Sequence, residues 1–193
     1  MARNPQLTLV TGPTRSGKSR WAEHLAAQSG LPVLYVATAW PDPTDPEWQA
    51  RLQAHRQRRP SHWQTREPPL DLPALCAHPP AHTCLLVDSL GTWVAQLLEH
   101  PDPQWQQQQQ TLVAALARLP NPTILVAEEV GWGVVPASAA GRLFRDRLGE
   151  LVQTIGAIAG QVYLVTGGWV VNLAQLGQPL PNDSGSPDFA SPA

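Results

Sequence analysis

The stretch Gly12-Pro13-Thr14-Arg15-Ser16-Gly17-Lys18-Ser19 constrains this chain more than any other. Before it runs "LTLVTG" (Leu7 to Gly12), apolar and ending in glycine, which reads as a buried strand. After it runs "GKSRWAEHLAAQSG", whose Trp21, Leu25 and terminal Gly30 read as a helix with a glycine stop. A strand that turns through glycines straight into a helix aims backbone N–H groups and the positive helix end at one spot. An anion fits that spot. The pattern G-x-x-x-x-G-K-[ST] is the P-loop, and this strand–loop–helix context favours phosphate binding over a plain glycine-rich helix cap. All eight residues are candidate nucleotide contacts. Lys18 would bridge the β- and γ-phosphates, and Ser19 would ligate Mg²⁺. Among 13 Lys and Arg residues Lys18 is the only lysine.

A P-loop needs an acid near its metal, at the end of a neighbouring strand. Asp88 ends "CLLVD", and Glu129 ends "TILVAEE" with Glu128 beside it. Each could be no more than the polar exit of a buried strand. In an open α/β sheet, however, the carboxyl ends of strands line the ligand crevice. Asp88 is therefore the candidate metal or nucleotide acid and Glu129 a possible second acid.

Strands are also expected at Pro32 to Ala39, Cys84 to Leu90, Thr123 to Glu129 and Val162 to Gly168. Helices are expected around Pro46 to Arg59, Leu90 to Glu99, Gln104 to Leu119 and Ala139 to Ala159. Continuous apolar strands alternating with helices predict a mostly parallel sheet covered on both faces. One domain over residues 1–177 fits the length of 193 residues, and the Pro-, Ser- and Gly-rich 178–193 reads as a disordered tail. The glutamine run Gln106 to Gln110 reads as a solvated helix surface.

A net charge of -2 argues against general nucleic-acid binding. Cys76 and Cys84 have no metal spacing and suggest a reducing compartment. No apolar run reaches the roughly 18 residues that a membrane span needs, and the N-terminus lacks a signal-peptide core. A cytoplasmic protein without stable membrane insertion is the expectation.

"RLQAHRQRRPSHW", Arg51 to Trp63, is the most basic stretch. Asp45 would cap its helix, Pro46 would take the first helical position, and Pro60 would end it. At helical spacing His55 continues the stripe of Trp48 and Leu52, so it is expected to face inward, with Arg51 and Arg59 one turn away on either side. Two readings stand. His55 is a half-buried histidine with an ordinary polar partner, or it is a nucleophile. Flanking arginines would disfavour the protonated ring and hold displaced phosphates, which suits attack on phosphorus.

With these residues in view, the chain resembles the bifunctional adenosylcobinamide kinase / adenosylcobinamide-phosphate guanylyltransferase family of cobalamin biosynthesis. The likeness runs from about Leu9 to Gly168. It includes the P-loop, "RLQAHRQRRPSHWQTREPPLDL" and "EEVGWGVVP". The resemblance implies a RecA-like P-loop fold and a homo-oligomer, typically a trimer. It implies phosphorylation of adenosylcobinamide with ATP or GTP, then transfer of GMP from GTP to the product, with the GMP carried on His55. It places further nucleotide contacts at Ala37, Thr38 and Ala39, at Arg56, Gln57, Arg58 and Arg59, at Glu67 and at Asp88. The chain departs from the family in having Pro13 where glycine is common, Ala54 where some members have histidine, Asp88 where some have glutamate, and Glu128 where asparagine is common. Two alternatives compete: a P-loop small-molecule kinase without nucleotidyl transfer, and a nucleotide-binding regulatory module that is not an enzyme.

Overall fold

The computed structural model describes residues 3–40 and 44–181, and within the second helix it leaves the side chains of Trp48, Arg51 and His55 outside that description. Most of the expected tail, 182–193, likewise lies outside the described residues. The elements in chain order are β1 (Asn4–Gly12), α1 (Lys18–Gln28), β2 (Val33–Ala37), α2 (Pro46–Arg58), β3 (Gln64–Arg66), α3 (Leu72–Ala77), β4 (Cys84–Asp88), α4 (Leu90–Gln96), α5 (Asp102–Arg118), β5 (Thr123–Glu128), α6 (Ala139–Ile158), β6 (Ala159–Thr166), β7 (Trp169–Asn172) and α7 (Leu173–Leu176).

Seven strands form one sheet in the order β3-β2-β4-β5-β1-β6-β7. Every pairing is parallel except β6 with β7, an antiparallel hairpin at one edge. Side chains alternate strictly between the two faces. Leu9, Leu34, Val36, Leu85, Val87, Leu125 and Ala127 enter one apolar cluster, which α3, α4, α5 and α6 cover. Val10, Val33, Tyr35, Leu86, Ile124 and Val126 enter the other, against Ala22 and Ala26 of α1. That explains why the strands read as unbroken apolar runs, since both sides of each are buried. Each fully buried leucine contributes about 2 kcal/mol of transfer free energy. The mostly parallel α/β sheet with helices on both faces is as expected, and the interposed strand β5 between β1 and β4 is consistent with a RecA-like arrangement.

Several boundaries differ from expectation. The run Cys84 to Leu90 is a strand only as far as Asp88. Ser89 then caps α4 by a capping box with Thr92, so a strong helix start overrides the apolar continuation. The strand β3 was not anticipated, because Gln64, Thr65 and Arg66 are polar and exposed and carry no alternation. The short helix α3 does have a start signal, Asp71 accepting from the Ala74 amide with Pro73 at its second position. Among the described residues no helix is long and apolar enough to cross a membrane.

Helix α2 departs most from its expected role. It spans Pro46–Arg58, and the Asp45 carbonyl accepts from the Gln49 amide as an N-cap residue should. But Leu52 is only half-buried and joins neither apolar cluster, and Pro46, Glu47, Ala50, Ala54, Arg56, Gln57 and Arg58 are exposed. The expected inward stripe is therefore not a core face at Leu52.

Candidate active site at the carboxyl edge of the sheet

Parallel register brings the strand ends to one edge. Gly12 lies opposite Glu128, Ala37 opposite Asp88, and Asp88 opposite Val126. At this edge β1 gives way to the loop that leads into α1. Gly12 is required by close packing, since a Cβ there would collide with the Val165 carbonyl. Gly17 has φ 98°, a left-handed backbone that side chains resist, and it starts α1 with no side chain capping the helix end. The first amides of α1 are thus left for an incoming acceptor.

Lys18 is 6% exposed. Its ammonium makes one hydrogen bond among the described residues, a long one of 3.4 Å to the Pro13 carbonyl. The Ser16 hydroxyl is also buried without a partner among the described residues. A buried cation with a single weak acceptor calls for a nearby anion. The Pro13 carbonyl also accepts from the Ser16 amide at 3.2 Å, so Pro13 tightens the loop although it brings no donor of its own. Arg15 holds φ 60°. A cavity of about 730 Å³ opens here, lined by Arg15 to Arg20, by Glu47, Ala50, Ala54 and Arg58 of α2, and by Gly168 at the β6–β7 turn. Thr14 lies in the same loop and is exposed. The side of α2 that faces the loop is thus 47, 50, 54 and 58. It lies about a third of a turn round the helix from positions 48, 52 and 55.

The acids take different stations. Asp88 Oδ2 accepts from the Tyr35 hydroxyl at 2.6 Å. Glu129 Oε1 accepts from Thr11 at 2.7 Å, and its amide donates to the Gly12 carbonyl at 3.0 Å, which places it against the start of the loop. Glu128 turns the other way and accepts from the Gly91 amide at 3.1 Å. Ser19 and Asp88 offer oxygen donors only, which suits a hard cation such as Mg²⁺. No group of three or more His, Cys, Asp or Glu among the described residues could hold a metal by itself. Phosphate and water would have to complete the shell of any such ion.

Thr38 is 1% exposed and each of its polar atoms has a protein partner. Its amide donates to the Asp88 carbonyl, its hydroxyl donates to the Ser89 carbonyl at 2.6 Å, and its carbonyl accepts from Gln96. Its side chain locks the ends of β2 and β4 together. Ala37 is buried beside it and Ala39 is half-buried.

Three arginines at the end of α2 tie that helix down. Arg56 pairs with Glu67 at 2.7 Å, Arg58 with Glu23 of α1 at 3.3 Å, and the Arg59 guanidinium stacks 3.4 Å from the centre of the Tyr35 ring. Burial pushes the Glu23 carboxyl up, with Arg58 opposing it. Burial, and next the negative Asp88, push the Tyr35 hydroxyl well above its usual range. Gln57 is exposed. His55 follows Ala54 on α2, with its side chain outside the described residues. The sequence reading missed Tyr35, Glu23 and Thr11. Only Tyr35 carried a signal, an aromatic hydroxyl in the otherwise aliphatic strand "VLYVA".

Residues 8–173 match the family described as cobinamide kinase / cobinamide phosphate guanyltransferase. The bifunctional adenosylcobalamin biosynthesis protein CobP of Pseudomonas aeruginosa is 44% identical over 174 residues, covering 89% of this chain and 98% of that protein. CobU of Escherichia coli, with the same description, is 40% identical over 178 residues, covering 84% and 96%. A solved structure from Pyrococcus horikoshii OT3 shares the fold with a TM-score of 0.55 at 9% identity, over 93% of this chain and 95% of that one. With the match spanning the loop, both acids and the arginine-rich helix, the chain belongs to the cobinamide kinase / cobinamide phosphate guanyltransferase family.

Proposed function

We propose that this protein phosphorylates adenosylcobinamide with ATP or GTP and then converts the product to adenosylcobinamide-GDP with GTP. The observation that carries the nucleotide reading is Lys18, a buried ammonium with one weak acceptor at the mouth of an uncapped helix. A triphosphate would supply the missing acceptors to Lys18 and to the first amides of α1. The aminopropanol hydroxyl of the corrinoid attacks the γ-phosphorus, and the nucleoside diphosphate leaves. Ser19 and Asp88 would hold Mg²⁺, which supplies charge neutralisation on the phosphates when bound. Glu129 stands beside the loop as a second acid.

In the second reaction a ring nitrogen of His55 attacks the α-phosphorus of GTP and pyrophosphate leaves. The corrinoid phosphate then attacks the same phosphorus, and His55 leaves as free imidazole. Arg56, Gln57, Arg58, Arg59 and Glu67 would flank that nucleotide, together with the backbone at Ala37, Thr38 and Ala39. The placement of Ala54 and Arg58 on the cavity wall supports a site shared between the loop and α2. Exposed Trp132, Val134, Trp169 and Leu176 support burial against further copies, and a homotrimer is the form we infer. A cytoplasmic location fits the corrinoid and nucleotide substrates.

GTP labelled in the α-phosphate tests this. Wild type should take up acid-labile label and release pyrophosphate, and His55→Ala should take none while still phosphorylating the corrinoid. Label on His55→Ala would move the nucleophile elsewhere. A wild type that phosphorylates the corrinoid but neither labels nor releases pyrophosphate would be a kinase alone.

A further inference from the structure

Groups that serve the two reactions meet at a side chain that neither reaction uses. Tyr35 is the middle residue of β2, 1% exposed among valine, leucine and alanine. Its hydroxyl donates to Asp88 Oδ2 at 2.6 Å. Its ring carries the Arg59 guanidinium on one face, 3.4 Å from the centroid. Asp88 ends β4, and Arg59 directly follows the last residue of α2.

Packing alone does not explain a tyrosine here. Phenylalanine would fill the same apolar volume without a hydroxyl to desolvate, and a buried hydroxyl is tolerated because an acceptor meets it. The acceptor is the carboxylate at the edge of the site. A carboxylate at a strand end turns about its own torsions unless something fixes it, and a short hydrogen bond from a packed strand does so. The ring has a separate task. Among the described residues Arg59 Nε is buried with no hydrogen-bond partner, so the aromatic face is what holds that part of the guanidinium.

We propose that Tyr35 is a positioning residue for both halves of the chemistry: its hydroxyl orients the Asp88 carboxylate at the P-loop, and its ring seats Arg59 and with it the end of the helix that carries His55. This rests on Asp88 as the metal-side acid and His55 as the nucleophile. The two contacts lie on different parts of one side chain, so they come apart by substitution. Tyr35→Phe removes the hydroxyl and keeps the ring. Tyr35→Leu removes both.

The test measures ADP affinity by calorimetry with and without MgCl₂, corrinoid kinase turnover, and the rate of labelling by α-labelled GTP. In Tyr35→Phe the magnesium-dependent gain in ADP affinity should fall at least about fivefold and kinase kcat about tenfold. ADP affinity without magnesium and the labelling rate should stay within about twofold of wild type. Tyr35→Leu should lower labelling at least about fivefold as well. A Tyr35→Phe protein with an undiminished magnesium gain overturns the proposal. So does one in which ADP affinity without magnesium, kinase turnover and labelling fall in equal proportion, the mark of general damage. Should Tyr35→Leu fail to fold, Tyr35→Phe decides alone, through its split between kinase and labelling. A wild type with neither magnesium gain nor label sinks the functional reading itself, and the positioning role with it.

Discussion

The P-loop and helix α2 face each other across one cavity but are held in opposite ways. The loop is set by backbone: Gly12 against the Val165 carbonyl, Gly17 at positive φ, and α1 packed on the sheet through Ala22 and Ala26. Helix α2 has mostly exposed residues and is moored by three arginines to Glu67, Glu23 and Tyr35. One half of the site is part of the core, and the other is tethered to it by side chains. Damage to the first should be steep and cooperative, and damage to the second shallow and local.

The largest effect should come from Lys18. In Lys18→Met, kinase turnover should fall at least about 10³-fold. The melting temperature of the ligand-free protein should stay level or rise, because a poorly paired buried ammonium has been removed. A marked drop in melting temperature would show that Lys18 also supports the fold. Gly12→Ala should cost about 2 kcal/mol in chemical denaturation, since the new methyl meets backbone that cannot swing aside. A neutral result would mean that β1 and β6 can part enough at Gly12 to admit a methyl group. Arg59→Ala should cost only about 1 kcal/mol globally. Its main sign should be faster amide hydrogen exchange confined to residues 46–58. Equal acceleration across α1 would erase the contrast between a built-in half and a tethered half.

The same contrast explains what could be read from the sequence. The loop was legible because its demands fall on consecutive residues: glycine, glycine, lysine and serine at set spacing between a strand and a helix. The sheet was legible because burial on both faces leaves unbroken apolar runs such as "TILVA". Tyr35, Glu23 and Thr11 escaped because each works through a partner more than 30 positions away, in Asp88, Arg58 and Glu129. The spacing on α2 favoured an inward stripe through Leu52, and no periodicity can reveal that a helix rides outside the core on ion pairs. Family likeness, and not spacing, singled out His55.

Strand β5 has one more consequence. It lies between β1, which delivers Lys18, and β4, which ends at Asp88. Neighbouring strands in any sheet are about 4.8 Å apart, so the ends of β1 and β4 stand roughly 10 Å from each other. That span is a gauge cut by the backbone, and side-chain substitution hardly alters it. It keeps the strand that leads into the P-loop one strand's width away from the strand that ends at Asp88.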